Sequence, residues 1–400
     1  MTARTVPFDH HSPTYHETRD ALLKELRHEA PVAWSEANSG HWVITSYELV
    51  RKVIMDDVNF TVEKRPGVPG GLLVPASPRP PVIPGEIDGA EHARYRKAIN
   101  EPFSRQAVKE QESWIRPLVE ETAARLAGQD EFDVVQDFAL AIPVAVVLRY
   151  LRLDVPDPIR YFQAAERAVG VKIEEAEELD PESQQAEIDS VWDTLYEAVL
   201  AKRAKPDDGL ISYLAQKDPP LTDFEIRDML VSVVLGGART SAALIENIIW
   251  QLDVDREMRA TLAADFSIVP KAVDEFVRYF SPSQVVGRTA ANDIELGGVL
   301  IRKNDRVLVS WHSANHDERE YSAPETIRFD RREKPNLSFG VGPHFCIGTW
   351  LARLETELAI KTVLATMPDY ALDHARCRRY EDGLINQWVT MPAYPNGLPS

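Results

Sequence analysis

One cysteine in this sequence sits where thiolate chemistry is expected. Residues 339–348 read Phe-Gly-Val-Gly-Pro-His-Phe-Cys-Ile-Gly, so a loop carrying Gly340 and Gly342 delivers Cys346 to the start of a helix. That helix begins near Gly348, places Leu351, Leu354 and Leu358 on one side, and stops before Pro368. Backbone amides and the helix dipole at such a position favour the thiolate. Gly348 allows a large planar ligand to pack close to the chain. No His or Cys lies at a zinc-type spacing. The other cysteine, Cys377, lies between Arg376 and Arg378 and reads as an incidental surface thiol. A structural disulfide is not expected in a reducing compartment.

Two charged pairs stand out. His92 and Arg96 are four residues apart and share a helical face just after a proline-rich stretch. Glu275 and Arg278 sit at i, i+3 on a helix ended by Pro282. The second spacing is weak evidence by itself, because Glu48–Arg51, Glu91–Arg94 and Glu325–Arg328 repeat it.

Several elements must position these residues. Thr18–Glu29 and Tyr47–Met55 have helical spacing, and the apolar runs between Pro31 and Thr45 turn at Asn38-Ser39-Gly40 as a hairpin. Residues 61–90 hold seven prolines between Pro66 and Pro84, with Leu72, Leu73, Val74, Val82 and Ile83 among them. Such a long irregular but partly apolar segment reads as a loop that covers a pocket. From Glu91 to about Trp250 the pattern is mostly helical. Ten acids and no Lys or Arg lie between Lys172 and Lys202, which reads as a solvated face. Thr222-Asp223-Phe224-Glu225 has the form of a capping box and opens a helix reaching about Leu252, ~45 Å long at ~1.5 Å per residue. Its middle carries Gly236-Gly237, which costs stability relative to Ala but lets something approach the backbone closely. Asp293–Trp311 reads as paired strands turning at Gly297-Gly298 and at Lys303-Asn304-Asp305. The fold class is therefore mainly α with a minor β-sheet region.

Composition narrows the partners. The 400 residues are 44% hydrophobic, and the formal net charge is -18. An acidic surface of this size repels phosphate backbones and anionic lipid, so neither nucleic acid nor membrane is an expected partner. No stretch approaches the ~18–20 apolar residues of a membrane span. The longest, Phe138 to Leu148, contains Pro143. Residues Met1 to His10 lack the apolar core of a secretory signal. A cytoplasmic location and a single compact unit over residues 1–400 follow as expectations.

The loop around Cys346 resembles the haem-binding signature of cytochromes P450, Phe-x-x-Gly-x-x-x-Cys-x-Gly, with Phe339, Gly342, Cys346 and Gly348 in place. The resemblance extends over nearly the whole chain. It implies a cytochrome P450 fold, haem b as cofactor and the Cys346 thiolate as proximal iron ligand, whose electron donation favours O–O cleavage. It makes Glu275 and Arg278 a structural ion pair behind the haem, completed by an arginine after Phe329-Asp330. Arg331 and Arg332 both qualify. It assigns His92, Arg96, Arg288 and His344 to the two haem propionates. Gly236-Gly237-Ala238-Arg239-Thr240-Ser241 aligns with the family's oxygen-activation segment. Thr240 would then hold the oxygen by a hydrogen bond and relay protons, while Gly237 packs against the cofactor. Leu72, Val82, Val233, Gly236, Val285 and Val286 are the expected substrate-pocket residues.

One departure concerns Arg239, which stands where the family usually has an acid. It either reaches into the pocket to pair with a substrate carboxylate, or points away and pairs with the run Glu174, Glu175, Glu177, Glu178 and Glu182. The resemblance implies a monooxygenase of secondary metabolism that inserts oxygen into a small apolar or aromatic molecule. Electrons would come from a separate ferredoxin and reductase, docked near Arg105, Lys109 and Arg353, and the enzyme would be a monomer. Two rivals remain: a peroxide-driven or coupling haem-thiolate enzyme, and a haem-based sensor or binding protein.

Overall fold

The computed structural model describes residues 4–77, 79–169 and 180–398. About 52% of it is helical. The centre is the helix Asp223–Val254, started by a closed capping box. There the Thr222 hydroxyl accepts from the Glu225 amide at 3.2 Å, and the Thr222 amide donates to the Glu225 carboxylate at 2.7 Å. The helix packs against Val134–Leu151, Pro181–Ala204 and Thr349–Thr366. Its middle is therefore buried on most sides, with Ala238, Ala242 and Ala243 letting neighbouring helices approach.

A six-stranded sheet flanks this bundle in the order Thr5–Val6, Val32–Ser35, His41–Ile44, Arg306–Ser310, Val285–Ala290, Phe60–Thr61. The expected hairpin forms between Val32–Ser35 and His41–Ile44, with Trp34 opposite Trp42. The first turn of Asp293–Trp311 also forms, pairing Ile294–Leu296 with Val299–Ile301. The second does not return the chain on itself. Arg306–Ser310 instead runs between His41–Ile44 and Val285–Ala290, because its five buried residues belong to the core of the larger sheet.

Two helices match a membrane span in length and hydropathy, against the sequence expectation. Val134–Leu151 has 18 residues at mean hydropathy 1.7, and the most apolar 18-residue window of the 32-residue helix Asp223–Val254 reaches 1.4. Both are core helices, with 67% and 61% of their most apolar windows buried inside the protein. Cys377 is also less exposed than its arginine neighbours suggest. It is half-buried against the helical core, and burial pushes its thiol up to about 12.

Candidate active site

The loop before Thr349–Thr366 is folded around its glycines. Gly340 and Gly342 have φ of 71° and 75°, a region costly for other residues. The chain then turns back so that the Cys346 amide donates to the Phe339 carbonyl at 2.8 Å and the Phe345 amide to the Gly342 carbonyl at 3.1 Å. Gly348 caps the helix. Cys346 lines a cavity of about 400 Å³ between this loop, the central helix and the strand Val285–Ala290. Burial raises the Cys346 thiol overall, and the Gly348 amide, Arg96 and Arg353 pull the other way.

The loop is held from behind by a buried charge network. Arg278 donates to both oxygens of Glu275 at 2.7 and 2.8 Å, and reaches the carbonyls of Asn315 and Pro324 at 2.9 Å. Arg331 is the second arginine of the network, with Nε at 3.0 and 3.1 Å from the Glu275 carboxylate. Arg332 has no bond to Glu275. Asn315 passes the anchoring forward: it accepts from the Leu337 amide at 2.7 Å and donates to Ser338 Oγ at 2.8 Å, next to Phe339. Neither Asn315 nor Ser338 carries a sequence signal that marks it.

Basic side chains converge on the same cavity. His92, Arg96, Arg288 and His344 all line it. Arg288 is 3% exposed, and its one side-chain bond among the described residues goes to its neighbour's carbonyl, Gly287, at 2.8 Å. Burial lowers its guanidinium to about 10. Burial also lowers the Arg96 guanidinium, against the pull of Cys346. Burial, then His344 and Arg96, push His92 down to about 4. Buried cations without an anion cost stability. Haem b, with a planar ring and two propionates, supplies the charges that this cradle lacks, so the residues fit it. His344 is partly committed elsewhere: its Nε2 lies 2.9 Å from Asp88 Oδ1, and its ring packs 4.1 Å from His92. Asp88 also accepts from Thr61 and the Val62 amide, which ties the end of the proline-rich segment to the cysteine loop.

On the opposite wall, Gly236, Gly237 and Thr240 face the cavity. A side chain at Gly236 would meet nothing within 4 Å, whereas one at Gly237 would come within 2.6 Å of Val147. Gly236 thus opens the wall, and Gly237 serves packing against Ala141–Leu151. Thr240 Oγ1 donates to the Gly236 carbonyl at 3.3 Å. Behind it, Glu355 is fully buried near Ser241, which lowers its pKa slightly, yet burial pushes its carboxyl up to about 8. A buried glutamic acid there is legible only once the helices are packed.

Arg239 is absent from the cavity wall. It is 9% exposed and makes a two-pronged ion pair with Glu166, at 2.8 and 2.7 Å. This direction accords with the ion-pair alternative, since residues 239 and 240 diverge by about 100° around the helix. Among the described residues its partner is Glu166, on Pro158–Ala168. Glu174, Glu175, Glu177 and Glu178 fall outside the described residues, and Glu182 is exposed.

Of the expected pocket residues, Leu72, Val233, Gly236 and Val286 line the cavity, together with Phe339 and Gly348. Val285 does not, because side chains alternate along a strand and its own enters the core beside Phe8 and Tyr15. Val82 does not either. The buried Glu86 carboxylate accepts from the Leu72 and Val82 amides at 2.9 Å and from Arg79 at 2.6 and 3.0 Å. This gathers the loop so that Leu72, Pro84 and Gly85 meet the cavity while Val82 packs on the helical core.

Comparison with known proteins agrees with this geometry. The family model described as Cytochrome P450 matches residues 175–367. The chain is 30% identical over 379 residues to the vitamin D(3) 25-hydroxylase of Pseudonocardia autotrophica, covering 93% of this chain and 92% of that protein. It is 28% identical to the 6-deoxyerythronolide B hydroxylase of Saccharopolyspora erythraea, covering 92% and 93%. Among solved structures, a mutant of P450 EryK in complex with erythromycin B superposes with a TM-score of 0.84 at 26% identity, covering 97% and 98%. With the cysteine loop, the cation cradle and full-length similarity in agreement, the chain belongs to the cytochrome P450 family and is a haem-thiolate monooxygenase.

Proposed function

We propose that this P450 inserts one oxygen atom from O2 into a small apolar or aromatic molecule, with electrons from a ferredoxin and its reductase. The observation that carries the reading is that Cys346 and Thr240 face one apolar-walled cavity that is also lined by half-buried Arg96 and buried Arg288, cations suited to two propionates. Haem b held there by Cys346 supplies the redox chemistry of oxygen activation and transfer. His92, Arg96, Arg288 and the free nitrogen of His344 hold its propionates. Leu72, Val233 and Val286 exclude water and hold the apolar substrate. The Thr240 hydroxyl exchanges its bond to the Gly236 carbonyl for one to the reacting oxygen.

The proposal extends to a cytoplasmic location, a role in secondary metabolism and a monomeric state. The test is spectroscopic and kinetic. Reduced protein with CO gives the red-shifted Soret band of the family, and Cys346→Ala abolishes it. Turnover supported by NAD(P)H, ferredoxin and reductase supports the monooxygenase reading. Turnover with H2O2 alone replaces it with a peroxide-driven one.

A further inference from the structure

A second cavity of about 410 Å³ lies on the other side of the proline-rich loop. The two cavities are separated by single thicknesses of chain. Leu72 faces the first, while Leu73 and Val74 face the second. Further along, Ser283 of the first cavity is bridged to Ile385 of the second. The wall is pinned by backbone bonds. The Gly287 amide donates to the Leu72 carbonyl at 2.7 Å, and Arg306 donates to the Leu73 carbonyl at 2.6 Å. His11 Nε2 lies 2.8 Å from the Val74 carbonyl.

The lining gives the ligand chemistry. Leu73, Val74, Leu384 and Ile385 make an apolar body. At one side His11 bridges Val74 and Asp382, whose Oδ2 is 2.5 Å from His11 Nδ1. A carbonyl and a carboxylate both only accept, so both nitrogens of His11 donate and the ring is an imidazolium. Burial opposes that charge, but Asp382 and Val74 outweigh it and raise the His11 pKa. The His11–Asp382 pair is therefore neutral as a unit. Asp9, His10 and His41 are the other titratable groups around it, and burial keeps His10 uncharged, at about 3. Gln387 Oε1 and both ring nitrogens of His10 have no partner among the described residues, but they are buried behind the wall and do not open into the cavity. An ion would find no countercharge here, whereas a hydroxyl donates to the partly exposed Asp382 carboxylate.

We propose that this second cavity binds a neutral small organic molecule with an apolar body and a hydroxyl group, independently of the haem cavity. The wall at 72–77 then links the two sites, because a ligand held against Leu73 and Val74 restrains Leu72 over the haem cavity.

The experiment uses the haem-loaded full chain with its first cavity blocked by 4-phenylimidazole, whose nitrogen ligates the iron. The probe is 4-fluorophenol, followed by fluorine NMR. Saturable binding of one equivalent is expected in the blocked protein. Ala76→Trp and Ser77→Phe fill the cavity from its partly exposed wall and are expected to weaken the probe about tenfold or more. The spectral titration of 4-phenylimidazole, unchanged in both variants, reports that fold and haem site are intact. Probe binding that vanishes once 4-phenylimidazole is bound overturns the proposal, as does no saturable binding at all. Binding unaltered in an intact variant overturns it too.

Discussion

At the scale of single residues, the exchange of an acid for Arg239 is the feature that sets this site apart from the family pattern. Arg239 and Glu166 are both nearly fully buried, so each is the other's solvent substitute. Arg239→Ala strands the Glu166 carboxylate and is expected to destabilise the protein by about 3–5 kcal/mol in urea unfolding. The swap Glu166→Arg with Arg239→Glu is expected to recover most of that loss. The relative affinity of an acid ligand and its methyl ester should be the same in wild type and Arg239→Ala, since the guanidinium does not face the cavity.

Glu355 makes a second residue-scale case, in which burial raises the carboxyl to about 8. Between an unfolded value near ~4.3 and that folded value, only the unfolded chain loses the proton. Stability therefore falls as pH rises through this window, by up to about 1.4 kcal/mol per pH unit, and levels off above it. Glu355→Gln removes this slope. Thermal unfolding from pH 5 to 8 should show the variant gaining on wild type at each step, and parallel curves would refute the buried acid.

At the scale of elements, the helix Val269–Phe280 matters because its charged pair is wired to a loop some sixty residues on. Glu275 receives Arg278, Arg331 and the Arg328 amide, and Arg278 in turn holds the carbonyls before the cysteine loop. Glu275→Ala leaves two buried guanidinium groups without their anion, so the loop loses its seat. Haem incorporation is expected to fail in Glu275→Ala and Arg331→Ala and to stay normal in Arg332→Ala, as read by the ratio of Soret to protein absorbance. An Arg332→Ala protein without haem would show that the network had been assigned to the wrong arginine.

At the scale of the whole molecule, a net charge of -18 sets the electrostatic problem for any electron donor. A ferredoxin is also acidic, so docking needs a local positive patch. For the proposed ferredoxin, the candidate is the face beside the cysteine loop. Arg105 and Lys109 are exposed, and Arg105 and Arg353 both lie over the Trp350 ring, at 5.2 and 5.4 Å from its centroid. Trp350 is 38% exposed, and Phe345 beside it is 40% exposed. Arg105→Glu with Lys109→Glu is expected to raise the KM for ferredoxin about tenfold at low salt, with the difference shrinking as ionic strength rises. Peroxide-supported turnover should be unaffected, because the cavity is untouched. A drop in both activities would place the damage in the fold instead of the docking face.

What the sequence determined by itself is local. The capping box at Thr222–Glu225, the glycine turns at 340 and 342, and the i, i+3 pair Glu275–Arg278 each depend on neighbours a few residues away. Their signals therefore survive in a linear reading. So does the signature around Cys346, whose spacing is that of a single loop. The tertiary structure decided everything that depends on which way a side chain leaves its element. It chose Arg331 over Arg332, sent Val285 into the core and Val286 to the cavity, and gave Arg239 to Glu166, seventy-three residues away. It also supplied the unmarked supports Asn315, Asp88, Glu86 and Glu355, whose roles come from burial. Burial is a property of packed elements, and a list of residues contains it only in outline.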